Sequence, residues 1–231
     1  MDPELRKRFV DSIEYLRSMN FFQNFSSLSS EEILEEIFDG EIDYSVFWWD
    51  EEKFLEKVKE KRKGGRTHGQ LLKKSLEEHE EYWMKASVYR VDLELAFFDR
   101  KRVFVEDWEI EADNGMGIGL MKKLARISRG LFEPLSMQEE WKRDIKIRGY
   151  EERVCCIVFF KSKGEEYRVD FTNYGEILVM NPVVKKINEL INDTGYQYYC
   201  LDGEIDYIVY VVFSDDEVEK LRKRGWKLSL P

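Results

Sequence analysis

Histidine occurs only at His68 and His79, and cysteine only at Cys155, Cys156 and Cys200. Neither histidine lies near a cysteine in sequence and no C-x-x-C spacing occurs, which argues against a structural zinc site. Cys155 and Cys156 are neighbours in a β-rich run and point to opposite faces of a strand, so the cysteines form no disulfide framework and buried, reduced thiols are expected. With so few histidines and no G-x-S-x-G or H-E-x-x-H string, nucleophilic triads and zinc proteolysis drop out, and any catalysis is narrowed to carboxylate or nucleotide chemistry. Proline and glutamine are scarce while 36% of residues are charged, a Lys/Glu-rich balance of the kind reported for thermophile proteins. No apolar run is long enough to span a bilayer and the start, MDPELRKRFV, has no signal-type apolar stretch, so a soluble, cytoplasmic protein with no membrane partner is expected.

Basic charge is in deficit too. The 37 Lys and Arg against 47 Asp and Glu give a net charge of −10, whose long-range field repels phosphate backbones. Residues 57–74 form a local exception, with Glu60 the one acid among many Lys and Arg, and centre on the loop KGGRTHG. Stacking aromatics are missing there, so a solvated loop is expected and nucleic acid is not.

What is present can fill a core: 231 residues, 43% hydrophobic and 14% aromatic. The N-terminal portion reads as helices over residues 3–19, capped by Asp2 with Pro3 following, over 29–40, opened by a Ser29/Glu32 capping box, over about 50–64, and over 67–85. In VYRVDLELAFF the alternation of Val91, Leu93, Leu95 and Phe97 with Asp92 and Glu94 predicts a strand, and the run from Val103 to Ala112, with a phase slip at Glu106, predicts its hairpin partner. A helix over 116–129 follows, then a connector through EPLSMQEEW. The C-terminal part predicts about four antiparallel strands and two helices, one capped by Asn181 and one by a Ser214/Glu217 box. The fold class is therefore α+β, divided into residues 1–133 and 134–231 or continuous. The string DGEIDY, at Asp39 and again at Asp202, is expected to stop a helix first and to turn a hairpin second.

Three stretches are candidate sites. The glycine turn at residues 113–119 feeds a helix N-terminus whose N–H groups, with Lys122, could hold a phosphate; the other reading is that the glycines let a strand turn tightly beneath a packed sheet. The string Asp113-Asn114-Gly115-Met116-Gly117-Ile118 resembles the D-N-G-x-G-I box of the GHKL ATPase family over about twenty residues. That resemblance implies an ATP/Mg cofactor with Asp113 bonding the adenine amino group. Where the family carries its magnesium-binding Asn, this chain has LLKKSLEEHEEYW, and no second glycine-rich lid precedes Pro134. The carboxylates Asp92, Glu94, Glu109 and Glu111, placed across the expected hairpin, could share a divalent ion. Tyr44, Phe47, Trp48 and Trp49 form an aromatic cluster suited to a protein partner, to self-association, or to the chain's own core. The reading favoured by composition is a non-enzymatic, acidic interaction or regulatory protein of immunity-like kind with no cofactor; the second reading is a nucleotide- or metal-dependent protein centred on the DNGMGIG turn.

Overall fold

The structure is a computed structural model of the chain and describes residues 1–42, 67–107, 115–144, 153–174, 177–201 and 207–231. The class is α+β. The chain forms two compact units: residues 1–100 with 220–226, and residues 101–219 with 227–231.

The first unit is helical among its described residues. Helix α1 (Pro3–Ser18) begins where Asp2 accepts the Glu4 and Leu5 N–H groups, at 2.7 and 3.2 Å, and buries Leu5, Phe9, Ile13 and Leu16 along one stripe. Helix α2 (Ser30–Asp39) opens on the Ser29/Glu32 capping box and stops at Gly40, in the left-handed conformation at φ +82°, so the first DGEIDY is a helix stop. The helix expected over 50–64, and with it the aromatic cluster, lies outside the described residues. Over 67–85 there are two helices in place of one, α3 (His68–Glu78) and α4 (Glu80–Lys85). The backbone leaves the helical region at His79 (φ −129°, ψ 40°), and Trp83 turns inward, its indole N–H donating to Ser75 Oγ at 3.1 Å and its ring meeting Phe9 edge-on.

The expected strand over 91–97 is instead helix α5 (Val88–Ala96), packed on α1. Ser87 caps it by accepting the Arg90 N–H at 3.2 Å. Its alternating apolar residues are all buried because a wide face is covered, Val91, Asp92, Leu93, Leu95 and Ala96 together. A run buried on most sides has no phase from which period 2 can be told from period 3.6.

In the second unit, strand β1 (Val103–Asp107) therefore has no hairpin partner over 91–97; it pairs antiparallel with β7 (Tyr207–Ser214). Together with β6 (Tyr196–Leu201) and β8 (Leu228–Ser229) these make a sheet in the order β1-β7-β6-β8. The β6–β7 pairing is the expected hairpin, although residues 202–206 at its turn lie outside the described residues. A second antiparallel sheet runs β2 (Leu135–Asp144), β3 (Arg153–Ser162), β4 (Glu165–Tyr174), β5 (Ile177–Val179). The stretch expected as a connector is thus β2, at the edge of this sheet among the described residues, and the C-terminal strands are divided between two sheets.

Helices α6 (Met116–Ile127) and α7 (Asn181–Leu190) each touch both sheets, α6 through β1, β2 and β3, α7 through β4 and β6. Tyr198, fully buried on β6, donates its hydroxyl to the Leu124 carbonyl of α6 at 2.7 Å. Met180, not Asn181, occupies the cap position of α7, and Asn181 Oδ1 accepts the Tyr210 hydroxyl at 2.5 Å instead. Helix α8 (Asp215–Lys223) carries the expected box, with the Ser214 N–H donating to Glu217 at 2.9 Å. Among the described residues no helix is long and apolar enough to cross a membrane, and all three cysteines are free.

Candidate functional site

The glycine turn is the sharpest motif in the chain, and the structure shows what its glycines meet. Asp113 and Asn114 lie outside the described residues; Gly115 (φ +87°), Gly117 and the exposed Lys122 lie within them, at the head and second turn of α6. Gly115, at the cap position, has no side chain with which to cap the helix. The cap comes from strand β2: the Glu139 carboxylate accepts the Gly115 N–H at 2.7 Å, the Ile118 N–H at 3.0 Å and the Trp141 indole N–H at 2.7 Å. A carboxylate at a helix N-terminus satisfies both the free N–H groups and the helix dipole, which are the same features a phosphate would use.

Gly117 explains why the helix head sits where it does. A Cβ there would lie 2.5 Å from Cys156 Sγ, 2.6 Å from Val158 Cγ2 and 3.2 Å from Glu139 Oε2. Only a glycine lets α6 approach β3 this closely, so Gly117→Ala is expected to destabilise the fold by about 1–3 kcal/mol through overpacking. Thermal melts of the variant beside wild type check this; an unchanged melting temperature would mean that the contact is soft.

Burial, with the Glu139 charge next in importance, pushes the Cys156 thiol from 9.0 up to about 12, against the pull of the Gly117 N–H. Cys156 is expected to resist alkylation in the folded protein at mildly alkaline pH and to react once the chain unfolds, as mass spectrometry of labelled peptides would report. The sign for stability follows from the raised folded value. The unfolded thiol ionises first, so this contribution is intact below 9.0 and is lost as pH rises toward about 12. Burial pushes the Tyr198 and Tyr210 hydroxyls up as well, with the same sign, so melting temperature should fall as pH climbs through the alkaline range.

Two of the carboxylates proposed for a metal, Asp92 and Glu94, sit on helix α5 and not on a hairpin strand. Asp92 is fully buried and accepts Arg224 Nε at 2.7 Å, a second Arg224 nitrogen at 3.0 Å and the Trp226 indole N–H at 3.1 Å, all within the first unit. Glu94 pairs with Arg90; burial raises its carboxyl above the usual range and Arg90 pulls it back. Glu109 and Glu111 lie outside the described residues, as do Tyr44, Phe47, Trp48 and Trp49. Among the described residues no group of three or more His, Cys, Asp or Glu is placed to hold a metal.

The same sheet that caps α6 carries an open surface on its other face. The register, Gln138 opposite Phe159, Phe159 opposite Arg168 and Lys161 opposite Glu166, puts these side chains together with Glu140 on the face away from α6. They line a groove of about 540 Å³. Lys161 and Glu166 are ion-paired at 3.3 Å and Arg168 holds Asp170 through two bonds of 2.8 Å, so the lining mixes both signs of charge with the half-buried aromatic rings of Phe159 and Tyr167. Sequence reasoning missed Glu139, Trp141 and this groove because the strand carrying them has a Glu where an inward apolar residue is expected. Gln138, Glu140 and Lys142 do alternate with Glu139 and Trp141, which was the signal available.

Comparison of the chain with protein-family models, with curated proteins and with solved structures gives no match.

Proposed function

We propose that this protein is a non-enzymatic interaction module that binds protein through the outer face of the β2–β5 sheet. The observation that supports this over the nucleotide reading is the Glu139 carboxylate, which takes the Gly115 and Ile118 N–H groups a phosphate would need. The groove on the opposite face, lined by Lys161, Arg168, Glu140, Glu166 and Phe159, has the mixed charge and aromatic content of a polypeptide-binding surface; a phosphate site would gather one sign of charge. The chain's net charge of −10 disfavours polyanions as partners in the same direction.

Panning a random displayed-peptide library on the immobilised protein tests the reading. Enriched peptides should bind wild type and lose about tenfold or more in affinity on Lys161→Glu, which reverses one charge of the groove. Peptides that bind the variant equally well, or an absence of enrichment, would count against the groove. A Mg-dependent thermal stabilisation by ATP would favour the nucleotide reading instead.

A further inference from the structure

Strand β2 has one sheet neighbour among the described residues, β3, and it is the longest edge of either sheet: ten residues, against five in β1, three in β5 and two in β8. Long edges invite pairing with another chain and are commonly blunted by charge or by bulges. β2 does carry an irregularity, between Leu135 and Gln138, where Ser136 takes φ +52°. From Gln138 to Asp144 the strand is regular, and the midpoint of that stretch is Trp141.

The order of charges along it is unusual for a blunted edge. In EEWKR the acids precede Trp141 and the bases follow it. Two copies of this strand laid antiparallel about a two-fold axis at Trp141 place Glu140 opposite Lys142 of the second copy, and Lys142 opposite its Glu140. Both side chains are exposed and both stand on the groove face, as residues directly opposite in an antiparallel pair must. The half-buried Trp141 then meets its own copy on the other face, an aromatic anchor at the centre of an isologous contact. Any other register that keeps the faces aligned sets like charges against one another or leaves these charges unmatched.

We infer that the β2 edge is a self-recognition surface, through which two copies of this chain pair antiparallel about Trp141 into a continuous eight-stranded sheet. The inference rests on the interaction reading above and names the partner of that sheet as a second copy.

Sedimentation equilibrium of the full chain across a wide concentration range tests it, with three variants. Wild type should show a reversible monomer–dimer equilibrium that weakens with added salt. Glu140→Lys alone sets Lys opposite Lys, and Lys142→Glu alone sets Glu opposite Glu, so each should weaken the dimer by about tenfold or more. Mixed together, the two single variants should form a heterodimer of near wild-type strength, because each then supplies the charge the other lacks, and the double exchange should dimerise with itself. A monomeric wild type, single variants that dimerise as wild type does, or a mixture that forms no heterodimer would each overturn the inference. A wild type that stays monomeric while peptides still bind in a Lys161-dependent manner would reject self-pairing and keep the interaction reading, since Lys161 stands on β3 and outside the paired edge. Dimers without groove binding would do the reverse.

Discussion

Replacing Asp92 by alanine is expected to destabilise the first unit by about 3 kcal/mol, on the order of 10 °C in its melting temperature. Asp92 has no exposed surface, and its two oxygens take three donors: two from Arg224 and the Trp226 indole N–H. Removing it strands a guanidinium packed 3.9 Å from the centre of the Tyr15 ring. A quarter of the Arg224 side chain still reaches water, at 25% exposure against 0% for Asp92, which puts the loss at the low end of the range for breaking a buried pair. Arg224→Ala should therefore cost more than Asp92→Ala, because it leaves the fully buried partner uncompensated. The double variant should cost well under the sum of the two single ones, and a double-mutant cycle by denaturant unfolding reads this directly. Additive losses would mean that the two side chains act independently.

Glu139→Ala should cost about 2–3 kcal/mol, since it leaves two helix N–H groups and the Trp141 indole N–H without their charged acceptor. Glu139→Gln keeps an acceptor oxygen and gives up the charge, so a smaller loss is expected. A second readout separates this role from general packing: the Glu139 charge helps hold the Cys156 thiol up, so in Glu139→Gln that thiol should titrate lower than in wild type. Thiol absorbance during a pH titration measures it. An unchanged Cys156 titration would place the carboxylate's influence elsewhere.

Much of the fold was legible because local chemistry was explicit. Asp2 with Pro3, the Ser29/Glu32 and Ser214/Glu217 boxes, and the glycine after Asp39 announce helix ends through hydrogen bonds made within a few residues, and the structure makes them. The errors fall where tertiary contacts decide. Helix α5 reads as a strand in sequence because a wide face of it is buried, Asp92 included, and a buried aspartate held by an arginine 132 positions away looks in sequence like a polar outward residue. Strand β2 passed for a connector because Glu139, its inward residue, is polar; the reason for that glutamate is a helix head 21 to 24 residues earlier in the chain. The glycine turn reads as a helix start, and the occupant of its N–H groups lies on a distant strand that the turn itself does not announce. Of the two readings given for its glycines, the Cβ distances at Gly117 support close packing on β3.

The Glu139 carboxylate takes the Gly115 and Ile118 N–H groups at the head of α6, and the proposed reading leaves no place there for a ligand phosphate. Titrating ATP with magnesium into isotope-labelled protein while following the backbone amide resonances of Gly115 and Ile118 tests it most directly. Both resonances are expected to stay in place throughout the titration in wild type and to move when Glu139 is replaced by glutamine. Saturable, magnesium-dependent shifts of Gly115 and Ile118 in the wild-type protein would contradict it and bring the nucleotide reading to the front.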